Sequence, residues 1–93
     1  MIRGARRMAW FVYLIECTDG SLYTGIAVDV DARYAAHARG KGARYTRAHP
    51  PARLLARFEY PDRSAALKAE YVIKQLSPAA KRALCAARAA PSP

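Results

Sequence analysis

The feature that most constrains the fold is an apolar run of eight residues, Trp10–Cys17, followed by the turn sequence Thr-Asp-Gly. A continuous aromatic and aliphatic run of this length is typical of a buried strand and too short for a buried helix. After the turn, Leu22–Ala27 has the composition of a returning strand. The two runs therefore predict a β-hairpin.

The length of the hairpin loop decides which side chains share a face of the sheet. A two-residue Asp-Gly turn would pair Glu16 with Tyr23 and place Tyr13 and Tyr23 on opposite faces. A three-residue loop with Gly20 left-handed would instead pair Tyr13 with Gly25, so that both tyrosines share one face. In that register the glycine would leave open space above the Tyr13 ring. A site that uses both phenols depends on this register.

The rest of the chain predicts three helices and one further strand. In chain order these are a helix from Asp29 to about Arg39, a loop over Gly40–Pro51, a strand over Arg53–Tyr60, a helix from Asp62 or Ser64 through Leu76, and a helix from Ser77 to about Arg88. The helix starts are predicted from capping side chains, and the first helix is predicted to stop at Gly40. The order β-β-α-β-α-α is an α/β (α+β) arrangement with three strands and three helices.

Alternation within the third strand predicts which of its side chains share a face. We expect Leu54, Ala56, Phe58 and Tyr60 on one side. On the second helix, Ala66, Leu67 and Ile73 form the predicted apolar stripe.

The chain length suits one domain. With 93 residues, we expect a single domain over residues 9–88, a basic tail over 1–8 and a frayed tail over 89–93. No apolar run is long enough to span a membrane. Cys17 and Cys85 lie in apolar runs without zinc-ligand spacing, so we expect buried, reduced thiols. Reduced thiols fit a cytoplasmic protein. We also expect a monomer.

The charge points to a polyanionic partner. Sixteen Lys and Arg against seven Asp and Glu give a formal charge of +9, which attracts nucleic acid through counterion release. A solubilising surface is the plain alternative. The residues that we expect to contact nucleic acid are Arg39, Lys41, Arg44, Tyr45, Arg47 and Lys74. Tyr45 is suited to stacking on a base or, equally, to anchoring its loop.

Glu70 is the acid best placed for chemistry, because it lies three or four residues from the apolar stripe of its helix. A carboxylate on an inner face requires a cation partner. That partner is either a basic side chain such as Lys74 or a divalent metal. A lone carboxylate suits Mg²⁺, which keeps most of its waters and takes phosphate oxygens from a substrate.

Arg33 and His37 share one face of the first helix, being four residues apart. The ordinary alternative for Arg33 is a solvated helix charge. For His37 it is a surface or partly buried ring. An arginine in a site can hold a scissile phosphate. Tyr13 and Tyr23 are core aromatics in the ordinary case, but a phenol near a metal or an arginine can act as a general base.

These residues carry a resemblance to a known family. The tripeptides VYL (residues 12–14) and YTG (residues 23–25) resemble the paired GIY and YIG motifs of the GIY-YIG endonuclease superfamily, and Arg33, His37 and Glu70 follow in that family's order. The resemblance covers about residues 10–76. It is closest to small stand-alone bacterial proteins of the UPF0213 type, whose hairpin and loop read CADGSLYTG and GKGAKYTR. Here the corresponding stretches are CTDGSLYTG (residues 17–25) and GKGARYTR (residues 40–47).

The resemblance implies a three-stranded antiparallel sheet flanked by helices and a metal-dependent DNA endonuclease. It assigns one Mg²⁺ or Mn²⁺ ion to Glu70, the general base to Tyr13 with Tyr23 as its partner, and transition-state stabilisation to Arg33 assisted by His37. Gly25 has a structural role. The implied substrate is branched, gapped or single-stranded DNA, in repair or recombination, because the chain carries no separate recognition domain.

Two alternatives remain open. Many family nucleases place an Asn after the Glu, and this chain contains no Asn, although Lys74 or Gln75 is positioned to fill that space. A non-catalytic nucleic-acid-binding module with the same fold is therefore the second hypothesis. A small structural or ribosome-associated basic protein is the third, and charge alone supports it.

Overall fold

The predicted hairpin forms two strands of a three-stranded antiparallel sheet. The computed structural model describes residues 8–88. Its elements are β1 (Trp10–Cys17), β2 (Leu22–Ala27), α1 (Val30–Ala38), α2 (Arg44–Ala48), β3 (Pro51–Tyr60), α3 (Arg63–Lys74) and α4 (Pro78–Ala87). The strand order is β2-β1-β3, with both pairs antiparallel. The fold class and the order of the predicted elements are confirmed.

The hairpin adopts the register of the three-residue loop. Tyr13 pairs with Gly25 and Ile15 with Tyr23, and Gly20 has a φ of 85°. The Asp19 carboxylate closes the turn by accepting hydrogen bonds from the Ser21 backbone N–H at 3.0 Å and from its hydroxyl at 2.6 Å. Tyr13 and Tyr23 therefore lie on the same face of the sheet.

Three predicted helices begin at the predicted capping residues. Each cap side chain accepts a hydrogen bond from the backbone N–H three residues ahead: Asp29 at 3.0 Å, Asp62 at 2.8 Å and Ser77 at 3.1 Å. The observed cap of α3 is Asp62, which decides between the two predicted starts. Gly40, with a φ of 76°, follows α1 as its expected stop.

The segment predicted as an unbroken loop contains a helix. Arg44–Ala48 forms the one-turn helix α2 between α1 and β3. Its N-cap, Ala43, makes no side-chain cap hydrogen bond, so the usual start signal is absent. The prediction of three helices is therefore corrected to four.

A bulge corrects the predicted faces of β3. Leu14 pairs with Ala56 but Ile15 pairs with Leu54, which leaves Leu55 as an extra residue. Leu54 accordingly packs with Tyr13 and Ile15, whereas Leu55 packs on the opposite face with Ala56. Ala56, Phe58 and Tyr60 share one face as predicted, and Leu54 does not.

The sheet carries a hydrophobic cluster on each face. The larger cluster packs α3 and α4 against the sheet; its buried residues are Val12, Leu14, Ala56, Phe58, Tyr60, Ala66, Ala69, Ile73 and Cys85. The smaller one packs α1 against the other face and contains Tyr13, Ile15, Cys17 and Val30. A tyrosine predicted to do chemistry is therefore also a core residue.

Several remaining predictions concern side-chain exposure and the chain ends. Leu67 is 38% exposed, so it does not belong to the buried stripe of α3, which consists of Ala66, Ala69 and Ile73. Cys17 and Cys85 are free and buried, as expected. The predicted tails lie outside the described residues except for Met8, which is exposed. Within residues 8–88, no helix is long and apolar enough to cross a membrane.

Candidate active site

Tyr13 is the centre of a cluster of polar side chains on the α1 face of the sheet. Its hydroxyl lies 2.9 Å from His37 Nε2, and the Arg33 side chain is close enough to lower its pKa. The Tyr23 ring is tilted against it, with 6.3 Å between centroids. Only 1% of Tyr13 is exposed. The strand pair and α1 thus bring together four of the side chains predicted from the sequence.

The surroundings of Tyr13 favour its neutral phenol. Burial is the main cause that raises its pKa to about 12, followed by the Tyr23 phenol; the hydrogen bond from Arg33 opposes the shift without cancelling it. At neutral pH, free tyrosinate is therefore scarce at this position. If Tyr13 acts as a general base, its own phenolic proton must pass to a neighbouring acceptor.

Gly25 allows the two tyrosines to approach each other. A Cβ atom at this position would lie 2.6 Å from the Tyr13 hydroxyl oxygen and 3.0 Å from Cε2 of Tyr23. The space above the glycine is therefore filled by the end of the Tyr13 side chain. The predicted open space beside the ring is not present, and the glycine is needed for close packing.

His37 is fully enclosed between Tyr13 and the chain segment after α1. It is 1% exposed, and its Nδ1 lies 2.6 Å from Thr46 Oγ1. A Cβ on Gly42 would lie 2.1 Å from the same nitrogen, so the loop backbone packs directly on the ring. Burial and, secondarily, the Arg33 charge lower the pKa of His37. The imidazole is therefore neutral at physiological pH.

Thr46 is a polar residue of the site that the sequence reasoning missed. It is 1% exposed and sits on α2, with its hydroxyl 3.1 Å from the Ala43 carbonyl oxygen. The only signal in the sequence is its position inside the stretch GKGARYTR, among the cations. The helix that places it was not predicted.

Glu70 lies on α3 and already has a cationic neighbour. Its side chain is 16% exposed, and its carboxylate lies 3.2 Å from Lys74 Nζ. Its charge also contributes to raising the pKa of Tyr13. The basic partner considered from the sequence is therefore present.

The donor set at Glu70 fits a hydrated divalent ion rather than a protein cage. Within residues 8–88, no three or more His, Cys, Asp or Glu side chains cluster as metal ligands. A single mostly buried carboxylate is compatible with Mg²⁺, which commonly binds through one or two carboxylates, waters and substrate phosphate. Lys74 must then release the carboxylate when the ion binds.

Tyr45 connects the basic loop to the site. Its ring stacks on Tyr23, with centroids 6.0 Å apart, and on His49, with centroids 4.2 Å apart. His49 in turn pairs with Asp19 of the hairpin turn at 2.6 Å. Tyr45 therefore anchors its loop, one of its two predicted roles. The exposed cations of this region are Arg39, Lys41, Arg44 and Arg47.

This fold and tyrosine arrangement define a class of protein. The GIY-YIG catalytic domain matches residues 9–83, and the chain therefore belongs to the GIY-YIG family, an endonuclease superfamily. Within it, the chain is similar to the UPF0213 proteins. The UPF0213 protein of Cupriavidus pinatubonensis is 53% identical over 77 residues, which cover 83% of this chain and 86% of that one. One from Staphylococcus aureus is 53% identical over 64 residues, 69% of this chain and 78% of that one.

A solved structure agrees with the fold. The solution NMR structure of the UPF0213 protein from Bacillus halodurans is 45% identical in sequence, with a TM-score of 0.56. The match covers 90% of this chain and 89% of that one. The family and the fold expected from the tyrosine tripeptides are thus confirmed.

Proposed function

We propose that the protein is a divalent-metal-dependent DNA endonuclease that hydrolyses phosphodiester bonds. The observation that carries the proposal is the grouping around the buried Tyr13 hydroxyl of His37, at 2.9 Å, and of Arg33, whose charge acts on the phenol, as that of Glu70 does more weakly. A phenol, a guanidinium and a carboxylate that influence one another electrostatically match the needs of a phosphate in the course of hydrolysis.

The residues divide the reaction between them. Tyr13 takes a proton from the attacking water. Tyr23 packs against it and holds it in place. Arg33, whose charge acts on the same phenol, would stabilise the charge that develops on the phosphate. His37 assists through its contact with Tyr13.

Glu70 would hold one Mg²⁺ or Mn²⁺ ion. When bound, such an ion supplies Lewis-acid activation of the phosphate and orients it. Lys74, released from Glu70, would then face the DNA backbone together with the exposed cations around α2.

We propose branched, gapped or single-stranded DNA as the substrate. The cations around α2 are exposed, and arginines there suit phosphate recognition, which reads the shape of DNA rather than its sequence. A role in repair or recombination, a cytoplasmic location and a monomeric state belong to the same proposal.

The test compares Glu70→Ala with the wild-type protein on fluorescently labelled branched and gapped DNA. We expect the variant to lose Mg²⁺-dependent cleavage, because nothing else in the described site replaces the carboxylate, while its DNA affinity stays within about threefold, as for loss of one metal ligand rather than a phosphate contact. Glu59→Ala removes an exposed carboxylate on β3 and serves as the matched control. Cleavage that persists in purified Glu70→Ala would contradict the metal role.

A second function is favoured by one specific contact. The Glu70–Lys74 pair already neutralises the carboxylate, which is the arrangement expected of a binding module that retains the fold without turnover. If DNA binding is strong and falls with salt, and no divalent metal yields product, the binding module is the correct function.

A further inference from the structure

A continuous hydrogen-bond chain runs from α2 to the reacting phenol. It joins the Ala43 carbonyl, the Thr46 hydroxyl, His37 and the Tyr13 hydroxyl, with successive heavy-atom distances of 3.1, 2.6 and 2.9 Å. The three side chains are each 1% exposed. Polar groups buried to this degree need internal partners, so the positions of their protons are strongly constrained.

Counting donors and acceptors identifies the histidine tautomer. Tyr13 is 1% exposed, so its phenolic proton needs an internal acceptor, and His37 Nε2, 2.9 Å from the hydroxyl, supplies it. His37 then carries its proton on Nδ1 and donates it to Thr46 Oγ1, while the Thr46 hydroxyl donates to the Ala43 carbonyl.

The opposite tautomer fits less well. It would make Nδ1 the acceptor for both the Thr46 hydroxyl and the Ala43 N–H; the latter bond, which the Nδ1–H tautomer gives up, is weak at 3.4 Å. The Ala43 carbonyl would lose its 3.1 Å donor. The Tyr13 hydroxyl, facing a donor on Nε2, would also lack an acceptor among these groups for its proton.

We infer that Thr46 is a positioning residue that fixes His37 as the Nδ1–H tautomer, so that Nε2 takes the phenolic proton of Tyr13 during hydrolysis. The inference rests on the proposed function and adds a residue that it does not include. Histidines oriented through their second ring nitrogen are common in metal and catalytic sites. Thr46, fixed by the Ala43 carbonyl, is the orienting group here.

The proton relay is formed by Tyr13, His37 and Thr46: Tyr13 and His37 transfer protons, and Thr46 orients the imidazole. The attacking water gives one proton to the Tyr13 oxygen as the original phenolic proton moves to His37 Nε2. The hydroxide oxygen forms a bond to phosphorus, and the ester oxygen leaves with the bonding electron pair and takes a proton from solvent. His37, now an imidazolium, returns its extra proton through Tyr13 to solvent. No step requires a free tyrosinate.

The experiment pairs Thr46→Val, which removes the hydroxyl, with Thr46→Ser, which keeps it. The matched control is Thr24→Val, because the Thr24 hydroxyl is buried and has no hydrogen-bond partner among the described residues. Thr24 pairs with Leu14 on the opposite face of the sheet, away from His37.

The first readout is independent of cleavage. Long-range ¹H–¹⁵N correlation spectra of the full-length protein report which ring nitrogen carries the proton, and only His37 and His49 contribute signals. We expect the Nδ1–H pattern at His37 in wild type, Thr46→Ser and Thr24→Val, and its loss or mixing in Thr46→Val. An Nε2–H pattern in the wild type overturns the inference.

The second readout separates positioning from folding. With saturating Mg²⁺, we expect Thr46→Val to lower kcat by about 10–100-fold without changing KM, as for other groups that orient a histidine, and Thr46→Ser to retain most of the rate. Thr46→Val that keeps both the tautomer and kcat overturns the inference, as does a folded Thr46→Ser that loses them. Wild-type protein that has the Nδ1–H tautomer but cuts no DNA refutes the proposed function and the relay with it.

Discussion

Gly25 makes a specific structural demand in the site, because a Cβ there would meet the Tyr13 side chain. We predict that Gly25→Ala destabilises the protein by about 1–3 kcal/mol, the usual cost of adding a methyl group to a filled core. The added Cβ would lie 2.6 Å from the Tyr13 hydroxyl oxygen, and Tyr13 is held by His37 and cannot move freely. Urea unfolding monitored by circular dichroism measures the change.

A double-mutant cycle with Tyr13→Phe checks the cause of that cost. Removing the hydroxyl removes the atom nearest to the added Cβ, so Gly25→Ala should destabilise the Tyr13→Phe protein less than the wild type. Equal costs in both backgrounds would show that the clash with the hydroxyl is not the cause.

At the residue scale, the sequence was informative wherever a side chain's position follows from local periodicity. Tyr13 and Tyr23 share a face because loop length and strand alternation determine it together. The contact between His37 and Thr46 could not be predicted, since it depends on how the segment after α1 folds back over the ring. The same holds for the pairing of Glu70 with Lys74, where a metal and a lysine satisfied the sequence pattern equally well.

At the scale of the elements, one hydrogen bond, between Asp19 and His49, links the hairpin turn to the segment between α2 and β3. Asp19 accepts from Ser21, and its other oxygen lies 2.6 Å from His49 Nδ1. The Ser21 hydroxyl is the main cause, and His49 the next, that hold the pKa of Asp19 well below its usual range. Because His49 also stacks on Tyr45, this pair helps to hold the basic loop against the site.

We predict that Asp19→Asn lowers stability at neutral pH, and that the difference from wild type shrinks in acid. A carboxyl whose pKa falls on folding stabilises the native state above its unfolded-chain pKa, about 4, and this contribution is lost as the pH falls further toward the native value. Urea midpoints at pH 7 and pH 3 measure the effect. Glu59→Gln is the control, and a difference that does not depend on pH would contradict the assignment.

The elements themselves were largely predictable, with two exceptions that have physical reasons. The helix caps Asp29, Asp62 and Ser77 gave the starts of three helices, because each supplies an acceptor for an otherwise unpaired N–H. Helix α2 is a single turn without a side-chain cap hydrogen bond, so tertiary contacts such as the Tyr45 stack and the buried Thr46 must hold it. The bulge at Leu55 depends on how β3 pairs with β1, which local alternation cannot reveal.

At the scale of the whole molecule, composition alone establishes the formal charge of +9. The structure shows where the exposed cations lie. Four exposed cations lie on or beside α2, the segment that packs against Tyr23 and His37: Arg39, Lys41, Arg44 and Arg47. If that segment contacts the DNA backbone, its cations should account for a distinct part of the salt dependence of DNA affinity.

We therefore predict that replacing these four loop cations with Gln flattens the dependence of log Kd on log salt by about 3–4 for duplex DNA, because each phosphate contact contributes roughly 0.9 to the slope. The control replaces four cations of the helices on the opposite face, Arg63, Lys68, Lys81 and Arg88, so that both variants lose the same net charge. Fluorescence anisotropy across a salt series measures both slopes, with catalysis suppressed by omitting divalent metal. Equal flattening in the two variants would mean that overall charge, and not the surface beside Tyr23 and Tyr45, attracts the DNA. A flatter slope in the loop variant alone would instead indicate that the DNA backbone binds next to Tyr13 and Tyr23, where the proposed hydrolysis requires it.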